Sequence, residues 1–188
     1  MAAQQNQQQV QEDSGPPLFQ GALYGAAAFV VGYLLTYFLL FIEDATEGEN
    51  QIEGVGQIFF NAQLVGTDYG EAATRDGLEM LAGSPDFTLP AFLFTLVIGV
   101  VITGSGYALT RSMAQPQTTT DEGTVIGASI LAGYLPLSFL GALLFEISES
   151  GFSSSPDIFG AVLLAGIVFP ALLGAIGGYL AIRTSGAE

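Results

Sequence analysis

Few side chains in this sequence are equipped for covalent chemistry. Ser105, in Thr103-Gly104-Ser105-Gly106, has the flanking glycines of an accessible nucleophile, but the chain has no histidine to serve as its general base. The absence of cysteine excludes disulfides, thiolate metal sites and iron–sulfur ligation. Carboxylates are plentiful, 18 Asp and Glu in all. Glu146, at the outer end of the third apolar run beside Glu149, is the candidate for an ionisable group in a span and reads as an interfacial carboxylate. The remainder lack the spacing of a calcium loop. No phosphate-binding loop or zinc-protease motif occurs. We therefore expect no catalytic residue, no metal ligand and no cofactor, and a protein that is not an enzyme. Three arginines against 18 acids argue against nucleic acid as a partner.

The elements that would carry such residues are apolar and long. Four runs have no charged residue: Leu18 to Ile42, Phe87 to Thr110, Thr124 to Phe145 and Ile158 to Ile182. A helix needs about 20 apolar residues to cross a hydrocarbon core about 30 Å thick. The spacing predicts an all-α integral membrane four-helix bundle built of two hairpins, in contact with the lipid bilayer. The order is a disordered Gln-rich tail over 1–17, spans at 18–42, 87–110, 124–145 and 158–182, a loop at 111–123, and a tail at 183–188. An acidic, partly helical segment at 43–86 and a short loop at 146–157 lie on the opposite side. Arg111 and Arg183 directly follow the second and fourth spans, at the same end of the bundle. The positive-inside bias makes that end cytoplasmic, with both termini inside and 43–86 and 146–157 extracellular, in a multi-pass protein of the cell membrane. Thirteen of the 18 acids fall in those outer segments. A net charge of −15 with no lysine is suited to molar salt, where the Debye length falls to about 3 Å, and points to a halophile.

Within the acidic segment two short helices are expected, Ile52 to Val65 and Tyr69 to Ala82, each with apolar residues near helical spacing. The first is apolar enough to lie on a membrane surface or cover the mouth of the bundle. Gly83-Ser84-Pro85-Asp86 punctuates the approach to the second span. Asp86 or Thr88 is expected to cap that span, with Pro90 in its first turn.

Small residues form stripes in the spans, and Gly21, Gly25, Gly32, Gly99, Gly106, Gly166, Gly174 and Gly178 are the candidate helix-packing positions. Such faces let helix backbones approach closely where no hydrophobic drive exists. The sharper alternative is a pathway or kink region drawing on Thr95, Thr103, Ser105, Tyr107, Ser129, Tyr134, Pro136 and Pro170. The two prolines sit deep in their spans, and interrupted helices in paired positions are one pointer to a transporter site. No ionisable residue lies near the middle of any span, where proton-coupled transporters place one.

The run Gly56-Gln57-Ile58-Phe59-Phe60-Asn61-Ala62-Gln63-Leu64-Val65, with the charge-free glycine-rich spans, resembles small multi-pass membrane proteins of haloarchaea that carry a domain of unknown function, some labelled transporter-like. The resemblance implies the architecture of residues 18–183 and no established activity. Two functional classes follow from the residues. One is a non-enzymatic subunit, scaffold or oligomer-forming component, with a homo-oligomer or another membrane protein as partner. The other is a small channel or transporter for an ion or an uncharged solute.

Overall fold

In the computed structural model, the residues described are 17–46, 48–70, 72–149 and 151–185. The expected Gln-rich tail lies outside them apart from Pro17, as do the last three residues. Four helices are long and apolar enough to cross a membrane: α1 (Leu18–Ile42), α4 (Ala91–Met113), α5 (Thr120–Leu144) and α6 (Ile158–Ser185). Helices α1 and α6 each pack against both α4 and α5, and α4 also meets the start of α5, where the Thr110 hydroxyl donates to Gly123 O. The outward faces carry exposed apolar side chains such as Phe19, Phe92, Leu144, Phe159 and Leu172. That distribution inverts the surface of a water-soluble bundle.

Local chemistry sets the helix ends. Helix α1 starts behind Pro17 and stops where Asp44 turns left-handed at φ 54°. The Ala45 amide then donates to Leu40 O and the Asp44 amide to Phe41 O, the pairing of a Schellman cap. Helix α4 begins at Ala91 behind Pro90, without a side-chain cap. The cap expected from Asp86 or Thr88 is not made, because Thr88 is turned towards Glu43. Helix α5 opens with a reciprocal box: the Glu122 amide donates to the Thr119 hydroxyl, and Glu122 accepts from the Thr119 amide. The Asp157 carboxylate accepts from the Gly160 amide at the start of α6.

Both proline-bearing helices are irregular on the N-terminal side of the proline. Helix α5 loses regular pairing at Ser129–Ile130, before Pro136. Helix α6 widens into a π-helix over Ala161–Val168, immediately before Pro170. In α6 the carbonyl four residues before Pro170 is that of Gly166, inside the wide stretch that relieves its clash with the ring, whereas in α5 the turn is tightened, the Ser129 and Ile130 amides donating to Ile126 O and Gly127 O.

The expected all-α architecture needs correction. Two antiparallel hairpins, β1 (Thr67–Tyr69) with β2 (Ala72–Arg75) and β3 (Ile147–Glu149) with β4 (Phe152–Pro156), join into one sheet in the order β2-β1-β4-β3. The two hairpins come from different loops and meet where Thr67 pairs with Pro156 and Asp68 with Ser155. The helix expected over Tyr69 to Ala82 is therefore confined to α3 (Gly77–Ala82). Its first half turns back as a hairpin: Gly70 sits at φ 69°, and the Asp68 carboxylate accepts from the Gly70 amide. The 146–157 loop likewise turns at Gly151, at φ 88°.

The other helix of the acidic segment, α2 (Gln51–Asn61), is where the core concentrates. Val55, Phe59, Phe60, Ala62 and Val65 are buried with Phe29 of α1 and Tyr134 of α5. Phe29 meets Phe59, Phe60 and Tyr134 edge-on, with centroids at 5.0, 6.3 and 5.2 Å. Helix α2 thus covers the mouth of the bundle by entering it. Its far end reaches Phe29, midway along α1. Such edge-on pairs are each worth about 0.5–1.5 kcal/mol beyond their burial.

Candidate functional site

The buried amide side chains gather on α2 and the turn that follows it. Gln57, Asn61 and Gln63 are 6%, 2% and 0% exposed. Helical spacing places Gln57 and Asn61 on one side of α2, and the turn after the helix brings Gln63 round to face α5. The Gln57 side-chain amide donates to the carbonyls of Phe145 and Ser154, at 3.0 and 3.1 Å. Asn61 donates to Val65 O at 2.7 Å and to the Thr67 hydroxyl at 3.0 Å, and accepts from the Leu78 amide. Gln63 donates to Phe59 O, while its Oε1 accepts from the Tyr134 hydroxyl at 2.9 Å. Among the described residues, every buried side-chain nitrogen and oxygen has a partner. The network fastens α2 to α5, to β1, to β4 and to α3. Chemically it is a neutral lock: amides and hydroxyls, with no charge to move and no proton poised for transfer.

The turn after α2 is built to aim these groups. Leu64 is left-handed at φ 63°, with the Val65 amide bonded to Phe60 O and the Leu64 amide to Asn61 O. This second Schellman cap throws Leu64 into the exterior and returns Val65 to the core. Gly56 serves the same packing: a Cβ there would collide with the Phe145 ring.

The residues considered for a pathway do not come together. Tyr134 is fully buried on Gln63, on the α1–α5 side. Ser129 donates to Ile126 O within its own helix, and Ser105 donates to Tyr24 O at 2.9 Å, tying α4 to α1. Pro136 is exposed on the outer face and Pro170 is buried. Thr95, Thr103 and Tyr107 share a different place, a lateral groove of about 640 Å³ between α4 and α6. Gly99 is on its floor. A second cavity, of about 220 Å³, lies between α2, α3 and the end of α1, beside Gln57, Asn61 and Thr67.

Most of the candidate packing glycines stand at helix crossings. A Cβ on Gly21 would meet the Ser129 carbonyl, one on Gly25 the Ile130 carbonyl, and one on Gly166 the Leu135 side chain. Gly106 approaches Gly174, Gly174 approaches Gly127, and Gly178 approaches Gly123, each backbone to backbone. Gly32 gives room to the Phe59 ring at 3.0 Å. Gly99 differs, since its nearest neighbour is a Leu173 methyl at 3.9 Å, an ordinary contact. Arg111 and Arg183 lie at one end of the molecule. Arg111 donates to the Ser185 hydroxyl at 2.5 Å, and the Arg183 guanidinium stands 5.3 Å over the Tyr179 ring.

Two parts of this arrangement escaped the sequence reading. The amide lock was signalled by three amide side chains in a segment that is otherwise apolar, a signal overshadowed by the aromatic pair between them. The other is Glu43, whose carboxylate accepts from the Thr88 amide and the Thr88 hydroxyl, both at 2.6 Å. This clamp joins the end of α1 to the approach to α4. The Thr88 hydroxyl and then its amide hold the Glu43 carboxyl below the usual carboxylate range. No local pattern links residues 45 positions apart.

Among curated proteins and solved structures, nothing matches the chain. One family profile does, and it covers residues 1–185. By that match the chain belongs to a family of unknown function, DUF7978.

Proposed function

We propose that this protein is a non-enzymatic integral membrane component, a subunit or scaffold whose bundle stays shut. The observation that carries this reading is the lock at α2, where an aromatic cluster and a fully paired set of amides fill the space between α1 and α5. The exposed apolar belt supports residence in a bilayer. The shared end of Arg111 and Arg183 supports cytoplasmic termini, with the sheet outside in a cell membrane. The acidic, lysine-free composition supports a salt-adapted setting, and the resemblance to haloarchaeal membrane proteins supports an archaeal one. A membrane protein or a second copy of the chain is the partner class this reading requires.

A small channel or transporter is the second reading. It is supported by the widened turn and buried Pro170 of α6, which provide a place for the helix to flex. Reconstitution decides between them. Liposomes containing the purified protein in molar KCl should release potassium and swell in glycerol no faster than empty liposomes. Release well above that background would overturn the shut-bundle reading, whereas recovery of a stable complex from native high-salt membranes would support it.

A further inference from the structure

The α4–α6 groove has a floor without a helix-packing explanation and a basic end. Its α4 wall follows four-residue steps through Thr95, Gly99, Thr103 and Tyr107, and the next step is Arg111. On α6 the groove passes Leu173 and Leu180, and Thr184 follows one turn later, its hydroxyl 3.1 Å from the Tyr107 hydroxyl. Arg111 and Arg183, two of the three basic residues in the chain, lie at this end of the two helices, Arg111 bonded to Ser185 across the seam and Arg183 beside Thr184 in sequence with its guanidinium over the Tyr179 ring. Both are exposed. Unlike the glycines at helix crossings, Gly104 has nothing within 4 Å of an added Cβ. Small residues leave this face of α4 open.

We infer that the groove is a site for an anionic phospholipid, with an acyl chain along α4 and α6 and the phosphate at Arg111 and Arg183. The inference rests on the membrane reading above. The length and the lining of the groove suit an acyl chain. Thr95 and Tyr107 are twelve residues apart, about 18 Å along α4. That length is close to the ~15 Å of one leaflet of a ~30 Å hydrocarbon core, and the lining is apolar apart from Thr95, Thr103 and the Tyr107 hydroxyl. Chemistry at the foot favours a phosphate. An arginine fork suits its oxygens, and Arg111 uses one N–H on Ser185 with others left in its five-donor set. In molar salt only direct contact survives screening, which makes placement at the mouth of the groove matter.

The test uses the full chain in micelles doped with equal amounts of phosphatidylglycerol and phosphatidylcholine, with retained lipid counted by native mass spectrometry. The wild type should retain phosphatidylglycerol over phosphatidylcholine by tenfold or more. Arg111→Gln with Arg183→Gln should bring that ratio near one, and Gly104→Leu, which fills the groove, should strip both lipids. All these sites are exposed, and unchanged thermal melting verifies folding. A wild-type ratio near one overturns the inference. So does a preference that survives the double arginine change, or a lipid-free dimer that Gly104→Leu dissociates, since a second copy would then occupy the groove. Resistance of the protein to alkaline extraction from membranes reports on the membrane reading separately.

Discussion

Glu43 shows how much one exposed carboxylate can organise. It accepts two hydrogen bonds from Thr88, which ties the end of one long helix to the approach to the next across 44 residues of intervening chain. Because those bonds require the ionised form, its pKa is lower in the folded protein than in the unfolded one. The stabilisation is therefore complete above the unfolded carboxylate range and is lost as pH falls through the lowered folded value. Glu43→Gln should leave an acid-unfolding limb that is shallower than that of the wild type. Melting in micelles from pH 7 down to pH 3 measures this, and overlapping limbs would show that the clamp contributes nothing. The residue scale is also where the sequence was least legible. A carboxylate next to an apolar run reads the same whether it is solvated or bonded to a distant threonine.

At the scale of elements, α2 is the part on which the interior depends. Gln63 and Tyr134 are both fully buried, and each is the other's hydroxyl or amide partner. Removing one leaves the other unsatisfied, at a cost of about 1–3 kcal/mol. Tyr134→Phe and Gln63→Leu should each lower the melting temperature, and the pair together should cost less than the sum of the two. Additive losses in that double-mutant cycle would mean the bond is not a coupled unit. Helix α2 was legible from its apolar spacing, but its depth was not, because periodicity reports which face is buried and not against what. The sheet was hidden for a different reason. Its strands have three to five residues, too few for a period of two to show, and the β1–β4 pairing joins residues almost ninety positions apart. Apolar residues at helical spacing in Tyr69 to Ala82 therefore outweighed the Asp68-to-Gly70 turn.

The whole molecule has two unlike ends: one with the sheet, formed from the segments 43–86 and 146–157 whose sequence holds 13 of the 18 acids, and an opposite end with Arg111 and Arg183. The four long helices were legible because charge-free runs of this length have few other uses. Which of their faces look inward was not, since lipid and core are equally apolar. This is why Tyr134 and Thr103 were grouped in sequence yet stand on different sides of the bundle. The polarity of the molecule is testable because the chain has no cysteine to remove. Ser153→Cys, in the sheet, and Gln117→Cys, in the 111–123 loop, should be labelled by a membrane-impermeant maleimide from opposite faces. In intact cells only Ser153→Cys should react. Labelling of Gln117→Cys alone would invert the orientation, and labelling of both in sealed cells would remove the membrane-spanning arrangement.

The pairing of β1 with β4 has a consequence for biogenesis. Strand β1 and helix α2 leave the ribosome well before Tyr134, and β4 follows later still. During that interval the amides of α2 have neither the tyrosine nor the strand that will satisfy them, so α2 must wait outside the bundle. Its docking and the closing of the sheet become late steps of assembly, governed by contacts distant in sequence and correspondingly slow. A chain arrested after α4 would present α2 undocked, open to proteases or chaperones that never meet the finished protein.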